Sequence, residues 1–308
     1  MKKVLVTGAG GFIGSALVKT LLDNGYLVYA LIKKGNFKSQ ETLLAISDKI
    51  IIINDLQQLM SQEFIPRFDI IYHLATVGIC PDFNNIDLIC DVNIKLGCQL
   101  IDFVAKTQSS LFVNFGSCFE YGDHGDKLLT EDMVCRPESL YAISKNASVN
   151  LINCYAKMRN VNVITVRPFG VFGEGEATNR LAPSIIRSCL EGKAIKTTSG
   201  EQIRDFVNVK DLVKAIFLLS VSNYEPYEIY NVCSNNPVTV KNFIEEIVDV
   251  CKLKKELILF GNIPYRKNEA MIFAGDNTKL QKIINYPFPN DHREGILDIY
   301  NSIMNNDR

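Results

Sequence analysis

The stretch KVLVTGAGGFIGSALVKTLLDNG (residues 3–25) passes from an apolar run, through a glycine-rich turn, into an amphipathic segment. KVLVT (3–7) reads as a strand buried on both faces, and the apolar residues after Gly11 recur at helical spacing. Glycines at 8, 11 and 14 allow a tight turn, close approach of the backbone to a pyrophosphate, and close helix–strand packing. The helix N-terminus that follows offers unpaired N–H groups and the positive end of its dipole to phosphate. In this strand–turn–helix setting the motif predicts a dinucleotide site lined by Gly8, Gly11, Phe12, Ile13 and Gly14.

The same alternation continues outward. Strand-like runs YLVYALI (26–32), KIIIIN (49–54), DIIYHLA (69–75), SLFVNFG (110–116) and VNVITVR (161–167) are separated by helical patterns around 12–24, 56–64, 85–107 and 140–159. That order predicts an α/β fold, a Rossmann-type doubly wound parallel sheet. After Arg167 the pattern loosens, with helices expected near 180–191, 210–222, 239–252 and 277–284. We expect a dinucleotide-binding domain of residues 1–168 with 205–235, and a smaller C-terminal α/β lobe of 169–204 with 236–308. A cleft between them would hold the ligand.

Composition narrows the class. A net charge of −1 over 308 residues gives no electrostatic case for nucleic acid or an anionic membrane surface. No apolar run approaches a membrane span, and MKK runs into VLVTGAGG without a secretory leader. The nine cysteines are scattered and never form a C-x-x-C pair, which speaks against a disulfide framework or metal site and for a reducing cytoplasm.

The second strand ends ALIKKG, so Ile32 stands where an acid would hold a ribose 2′-hydroxyl, followed by Lys33 and Lys34. An apolar residue and two cations suit a 2′-phosphate, and the expected cofactor is NADP(H). Asp55, with Leu56 beside it, is placed to accept from the adenine amino group, and Leu74 and Ala75 follow the fourth strand at the sheet edge. His73 has no partner at a catalytic spacing and reads as a strand-end residue. In YAISK (141–145), Tyr141 and Lys145 share one helix face. Alone they are either a surface pair or a proton donor with its tuning charge.

TGAGGFIG (7–14), HLA (73–75), Ser117 ahead of EYG, YAISK, RPFGVFG (167–173) and RDFVNVKD (204–211) occur in one order along the chain. With them the sequence resembles the nucleotide-sugar branch of the extended short-chain dehydrogenase/reductase family over nearly its whole length. The resemblance implies that Tyr141 is the catalytic acid/base, that Lys145 holds the nicotinamide ribose, and that Ser117 completes the site. It also implies that Pro168 and Val171 line the cofactor. Free tyrosine titrates near ~10, and a nearby ammonium and the positive nicotinamide ring would lower that value. A serine hydroxyl can hold a carbonyl oxygen as charge develops there.

Within the branch, dehydratases carry an Asp-Glu pair after the catalytic hydroxyl residue, because eliminating water needs extra acid and base groups. Cys118 and Phe119 stand there instead. Epimerase–reductases of the GDP-fucose synthase type carry a cysteine at the place of Phe119 and a histidine in the region of EGEATNRLAP (174–183), and neither is present. An NADPH-dependent reductase of a CDP- or dTDP-linked 4-keto-6-deoxy or 3,6-dideoxy sugar is the leading expectation, in surface-polysaccharide or O-antigen precursor synthesis. TTSGEQIRDFVNVKD (197–211) and RKNEAMIFAGDNTKLQ (266–281) are similar to segments of CDP-abequose synthase-like reductases. An NAD-dependent 4-epimerase and a non-catalytic dinucleotide sensor stay open as alternatives. The resemblance implies that Arg204 and Arg266 bind the substrate diphosphate, bidentate contacts being the physical reason. Ser117, Asn179, Arg180 and Leu181 would face the sugar, and Gly170 replaces an asparagine common in the branch, so sugar contacts should differ. Relatives dimerise through helices matching 85–107 and 140–159, and apolar Ile86, Ile89, Leu100, Val104, Val149 and Ile152 suit a homodimer.

Overall fold

The computed structural model describes residues 1–60, 66–80, 82–267 and 269–306. The chain begins with β1 (Lys3–Thr7), α1 (Phe12–Asp23), β2 (Leu27–Leu31), α2 (Phe37–Ile46), β3 (Ile51–Ile53), α3 (Leu56–Met60) and β4 (Ile70–His73). The helix expected over 56–64 is seen as α3, and its last residues lie outside the described ones. Next come α4 (Ile86–Ile89), a π-helical turn (Cys90–Lys95), α5 (Leu96–Thr107), β5 (Leu111–Phe115), α6 (Leu140–Met158) and β6 (Val163–Pro168). The chain continues through β7 (Gly170–Phe172), α7 (Leu181–Leu190), β8 (Ile195–Lys196), β9 (Ile203–Arg204), β10 (Phe206–Asn208), α8 (Val209–Val221) and β11 (Ile229–Val232). It closes with β12 (Val238–Thr239), α9 (Val240–Cys251), β13 (Ile258–Leu259), β14 (Ile272–Phe273), α10 (Thr278–Ile284) and α11 (Arg293–Asn306).

Seven strands pair in the order β11-β6-β5-β4-β1-β2-β3, all parallel. Val4 and Val6 pack with α1 and α8 on one face, while Leu5 packs with α5 and α6 on the other. Burial on both faces explains why these strands read as continuous apolar runs. A separate apolar cluster joins α7, α9 and α11 beside the small sheets β12-β9-β14, β10-β7 and β13-β8.

Three features differ from the sequence reading. Helices α2 and α11 were not expected; α2 buries only Leu43, so its apolar stripe is too thin to signal a helix. The segment 86–107 is interrupted by the π-helical turn. Of the six residues assigned to a dimer face, Ile89, Leu100, Val104, Val149 and Ile152 are instead buried within the chain, where α5 and α6 cover the sheet. Among them only Ile86 is exposed.

The glycine turn is as tight as its spacing demands. Gly8 has φ +68°, and a Cβ there would lie 2.8 Å from the Ala75 nitrogen at the end of β4. A Cβ on Gly14 would lie 2.2 Å from the Gly8 carbonyl oxygen. Backbone meets backbone at both places, so no rotamer can relieve a side chain. Gly14→Ala is expected to force α1 away from the turn, destabilising the fold by about 1–3 kcal/mol, the usual range for overpacking. It should also weaken dinucleotide binding at least tenfold; thermal melting and fluorescence titration with NADPH check both.

Candidate active site

The carboxyl ends of β1, β4, β5 and β6 share one edge of the sheet, and the strand order reverses between β1 and β4. A ligand crevice forms at such a switch point. The Gly8–Gly14 turn and Leu74–Ala75 line it from β1 and β4. This backbone cradle, which any Cβ would fill, fits a dinucleotide pyrophosphate. Ile32 is buried at the end of β2, and Lys33 and Lys34 after it are exposed. Asp55 is exposed, and its carboxylate accepts from the Gln57 N–H at 2.9 Å; Leu56 beside it is half-buried. Pro168 ends β6, and Val171 lies half-buried in β7.

Ser117 follows β5 in extended conformation and caps the short turn Cys118–Glu120. Its Oγ accepts from the Phe119 N–H at 3.3 Å, while its own N–H donates to Glu120 Oε1 at 2.6 Å. The Glu120 side chain is fully buried, and its Oε2 accepts from Arg167 Nε at 3.0 Å and Nη2 at 2.8 Å. The guanidinium also lies 4.4 Å from the Tyr121 ring centroid. One carboxylate thus ties the turn after β5 to β6 and fixes the backbone of Ser117.

Ser139 caps α6, its Oγ accepting from the Ala142 N–H at 3.1 Å, so Tyr141 sits in the first turn of the helix. Tyr141 is buried, and the side chains of Ser117 and Thr76 favour its ionised form. Burial pushes the phenol up to about 12, against the pull of those two side chains. Burial is the largest cause of that rise, and Cys118 and Glu120 add to it. Desolvation outweighs neighbouring charge here, and the phenol holds its proton near neutrality. Lys145, one turn along α6, is also buried, and burial lowers its ammonium to about 8 despite the opposing charge of Glu120.

His73 is buried at the end of β4, with Nδ1 2.9 Å from Thr7 Oγ1, and burial together with the Lys145 charge pushes it down to about 3. It is a neutral strand-end residue that helps anchor the edge. Asn93, in the π-helical turn, was not visible in the sequence reading. Its Oδ1 accepts from the Val77 N–H at 2.8 Å and the Thr76 hydroxyl at 3.0 Å, and its Nδ2 donates to Val77 O at 3.0 Å and Ser144 Oγ at 2.8 Å. Asn93 therefore joins the loop after β4 to α6. A π turn re-aims one side chain, which the regular helical spacing of 85–107 could not reveal.

The remaining candidates lie farther out. Asn179, Arg180 and Leu181 lead into α7, the first two exposed. The Arg180 charge opposes the burial that pushes the Glu176 carboxyl up to about 7. Arg204 on β9 is half-buried, donates to its neighbour's carbonyl at 2.8 Å, and pairs with Glu269. Exposed Arg266 lies in the same loop as Glu269, whose N–H donates to the Arg266 carbonyl at 3.1 Å. The two arginines are thus linked through Glu269, a residue the sequence reading passed over.

The NAD dependent epimerase/dehydratase family matches residues 4–233. CDP-abequose synthase of Salmonella typhimurium is 30% identical, with 96% of each chain covered. GDP-6-deoxy-D-talose 4-dehydrogenase of Aggregatibacter actinomycetemcomitans is 27% identical over 94% of this chain and 92% of that protein. Among solved structures, UDP-N-acetylglucosamine 4-epimerase of Methanobrevibacter ruminantium superposes with a TM-score of 0.87 at 24% identity, covering 99% of both chains. The dTDP-glucose 4,6-dehydratase of Bacillus anthracis, solved with NAD, gives 0.85 at 21% identity over 100% of this chain and 98% of that one.

Removing one partner of a buried ion pair leaves the other charge uncompensated. Glu120→Gln is expected to destabilise the protein by about 3–5 kcal/mol, read as a shift in the denaturant midpoint. An exposed pair such as Lys193–Glu191 should tolerate the same treatment without a measurable shift of the midpoint.

Proposed function

Because the chain belongs to the NAD dependent epimerase/dehydratase family, we propose that it is an NADPH-dependent reductase of the C4 keto group of a nucleotide-linked 6-deoxyhexose. The nucleotide is CDP or dTDP, and the product feeds surface-polysaccharide synthesis. One observation carries this reading. Burial keeps Tyr141 protonated with Ser117 acting on its hydroxyl, and the two positions after Ser117, Cys118 and Phe119, supply neither acid nor base. The Cys118 thiol is buried and pushed well up by burial, and Glu120 is committed to Arg167. The site can therefore give one proton to one oxygen, which is what ketone reduction needs and elimination of water exceeds.

When bound, the nicotinamide supplies the hydride that goes to C4. Ser117 Oγ holds the carbonyl oxygen, and Tyr141 gives that oxygen its proton, so the ketone becomes a secondary alcohol. Lys145 holds the nicotinamide ribose from below the tyrosine. Gly8, Gly11, Phe12, Ile13 and Gly14 receive the pyrophosphate, Leu74, Ala75, Pro168 and Val171 flank the cofactor, and Asp55 with Leu56 meets the adenine. Lys33 and Lys34 take the 2′-phosphate, supported by the absence of an acid at buried Ile32. Segments 169–204 and 236–308 take the nucleotide sugar. There Asn179, Arg180 and Leu181 face the sugar, and Arg204 and Arg266 bind the diphosphate. The relatives named for CDP-abequose synthesis and for a 6-deoxyhexose 4-dehydrogenase support the same chemistry.

A second copy of the chain completes the proposal. Leu140, Ile143, Leu151 and Met158 are exposed on α6, and helical spacing puts them on one stripe, with Ile86 of α4 also exposed. We infer a cytoplasmic homodimer built on this stripe.

Two outcomes follow. Purified protein should oxidise NADPH in step with a CDP- or dTDP-linked 4-keto-6-deoxy sugar and prefer it to NADH; Tyr141→Phe should lose at least a hundredfold in kcat, the usual scale of general acid catalysis. No oxidation by the wild type would sink the reductase. Light scattering on the eluted protein should give twice 34.6 kDa, falling to the monomer for Leu151→Glu. A wild-type monomer would contradict the stripe's role.

A further inference from the structure

Phe119 stands out among its neighbours. Cys118 and Glu120 on either side are 5% and 0% exposed, yet the Phe119 ring is 50% exposed. It meets the Tyr141 ring edge-on at a centroid distance of 6.5 Å and stacks on Phe273 at 5.7 Å with an interplanar angle of 30°. Phe273 lies 6.4 Å from Phe169, which is buried and packs beside Tyr121. Phe273 also belongs to β14, whose register on β9 puts it opposite Arg204. The aromatic shelf therefore runs from the phenol that would protonate C4 to the strand that carries a diphosphate-binding candidate.

With Tyr141 at C4 and Arg204 at the diphosphate, as the proposed function has them, the hexose would lie along that shelf. The two rings present carbon faces and edges and no hydrogen-bond donor or acceptor. A sugar hydroxyl turned toward them would lose its water and find no partner, whereas a methyl or methylene there buries apolar surface.

We propose that Phe119, backed by Phe273, is the specificity-determining residue of this site and selects sugars that are deoxygenated on the edge facing the shelf. This rests on the reductase reading for the reaction but not for the selection itself, which acts on binding. The shelf discriminates against an added hydroxyl because it cannot hydrogen-bond it, and apolar pockets achieve up to about 100-fold by such means.

The test uses a matched pair of stable nucleotide sugars, dTDP-fucose and dTDP-galactose, which differ only by the oxygen at C6. A CDP-linked 3,6-dideoxyhexose serves as a third ligand for the C3 edge. Dissociation constants are measured by calorimetry, and kcat/KM for oxidation with NADP⁺ is measured in parallel. The wild type should bind the deoxygenated member of a pair at least tenfold more tightly. Phe119→Asn should shrink that ratio to within threefold, chiefly by gaining affinity for the hydroxylated sugar, a change that general damage would not produce. Phe119→Leu, which keeps an apolar surface, should retain the preference. Equal binding of deoxygenated and hydroxylated sugars by the wild type would overturn the proposal, as would an unchanged ratio in Phe119→Asn. Selective binding lost in Phe119→Asn without any hydride transfer would support the shelf while refuting the reductase. Turnover with an unchanged ratio would do the reverse.

Discussion

The site depends on a charge buried where charges are costly. Glu120 and Arg167 are almost wholly removed from water, and effective desolvation of each ion costs several kcal/mol. The pair offsets this with two N–H donors on one carboxylate oxygen, the Ser117 N–H on the other, and the guanidinium against the Tyr121 ring. Tyr121 in turn donates to Asn231 on β11 at 2.7 Å, and Asn231 donates to the Leu129 carbonyl at 2.8 Å. The turn after β5, the end of β6 and the edge strand are thereby one hydrogen-bonded unit. Ser117 has no freedom to leave Tyr141 unless that unit breaks.

On the other side of the tyrosine, Asn93 plays the corresponding part. It saturates both backbone polar groups of Val77, binds the Thr76 hydroxyl that reaches Tyr141, and bonds Ser144 one turn along α6. The phenol thus lies between two loops, each organised by a buried polar side chain that touches neither substrate nor cofactor in the proposed reaction. Such a clamp positions a proton donor before the ligand arrives, so little reorganisation is left for the chemical step.

Much of this was legible in the sequence, for specific reasons. The glycine turn announces itself because only glycine fits where an added Cβ would come within 2.2 and 2.8 Å of backbone atoms. The parallel strands announce themselves because burial on both faces leaves uninterrupted apolar runs. Tyr141, Lys145 and Ser117 are legible as a set because their order and residue types match one family. The rest depends on three-dimensional neighbours that no spacing encodes. Glu120 looks like any loop acid until Arg167, far along the chain, meets it. Asn93 sits in a helical pattern whose π turn leaves no periodic trace. The upward push of burial on the tyrosine is equally hidden, because desolvation is a property of the packed site. The apolar residues of 85–107 and 140–159 mislead for a related reason, since a helix beside a sheet and a helix beside a partner subunit present the same composition.

In the proposed reaction this edge of the sheet moves one hydride outward, from NADPH to the sugar carbon, and does not return it. Incubation of the protein with a CDP- or dTDP-linked 4-keto-6-deoxy sugar and NADPH deuterated at the transferred position of nicotinamide C4, followed by NMR of the product sugar, tests it most directly. The account predicts one deuterium on sugar C4 and an equivalent of NADP⁺ released. A sugar free of deuterium, together with a nicotinamide nucleotide that stays bound and inversion at C4 in a parallel incubation with a 4-hydroxy nucleotide hexose, would contradict it and make the protein an epimerase.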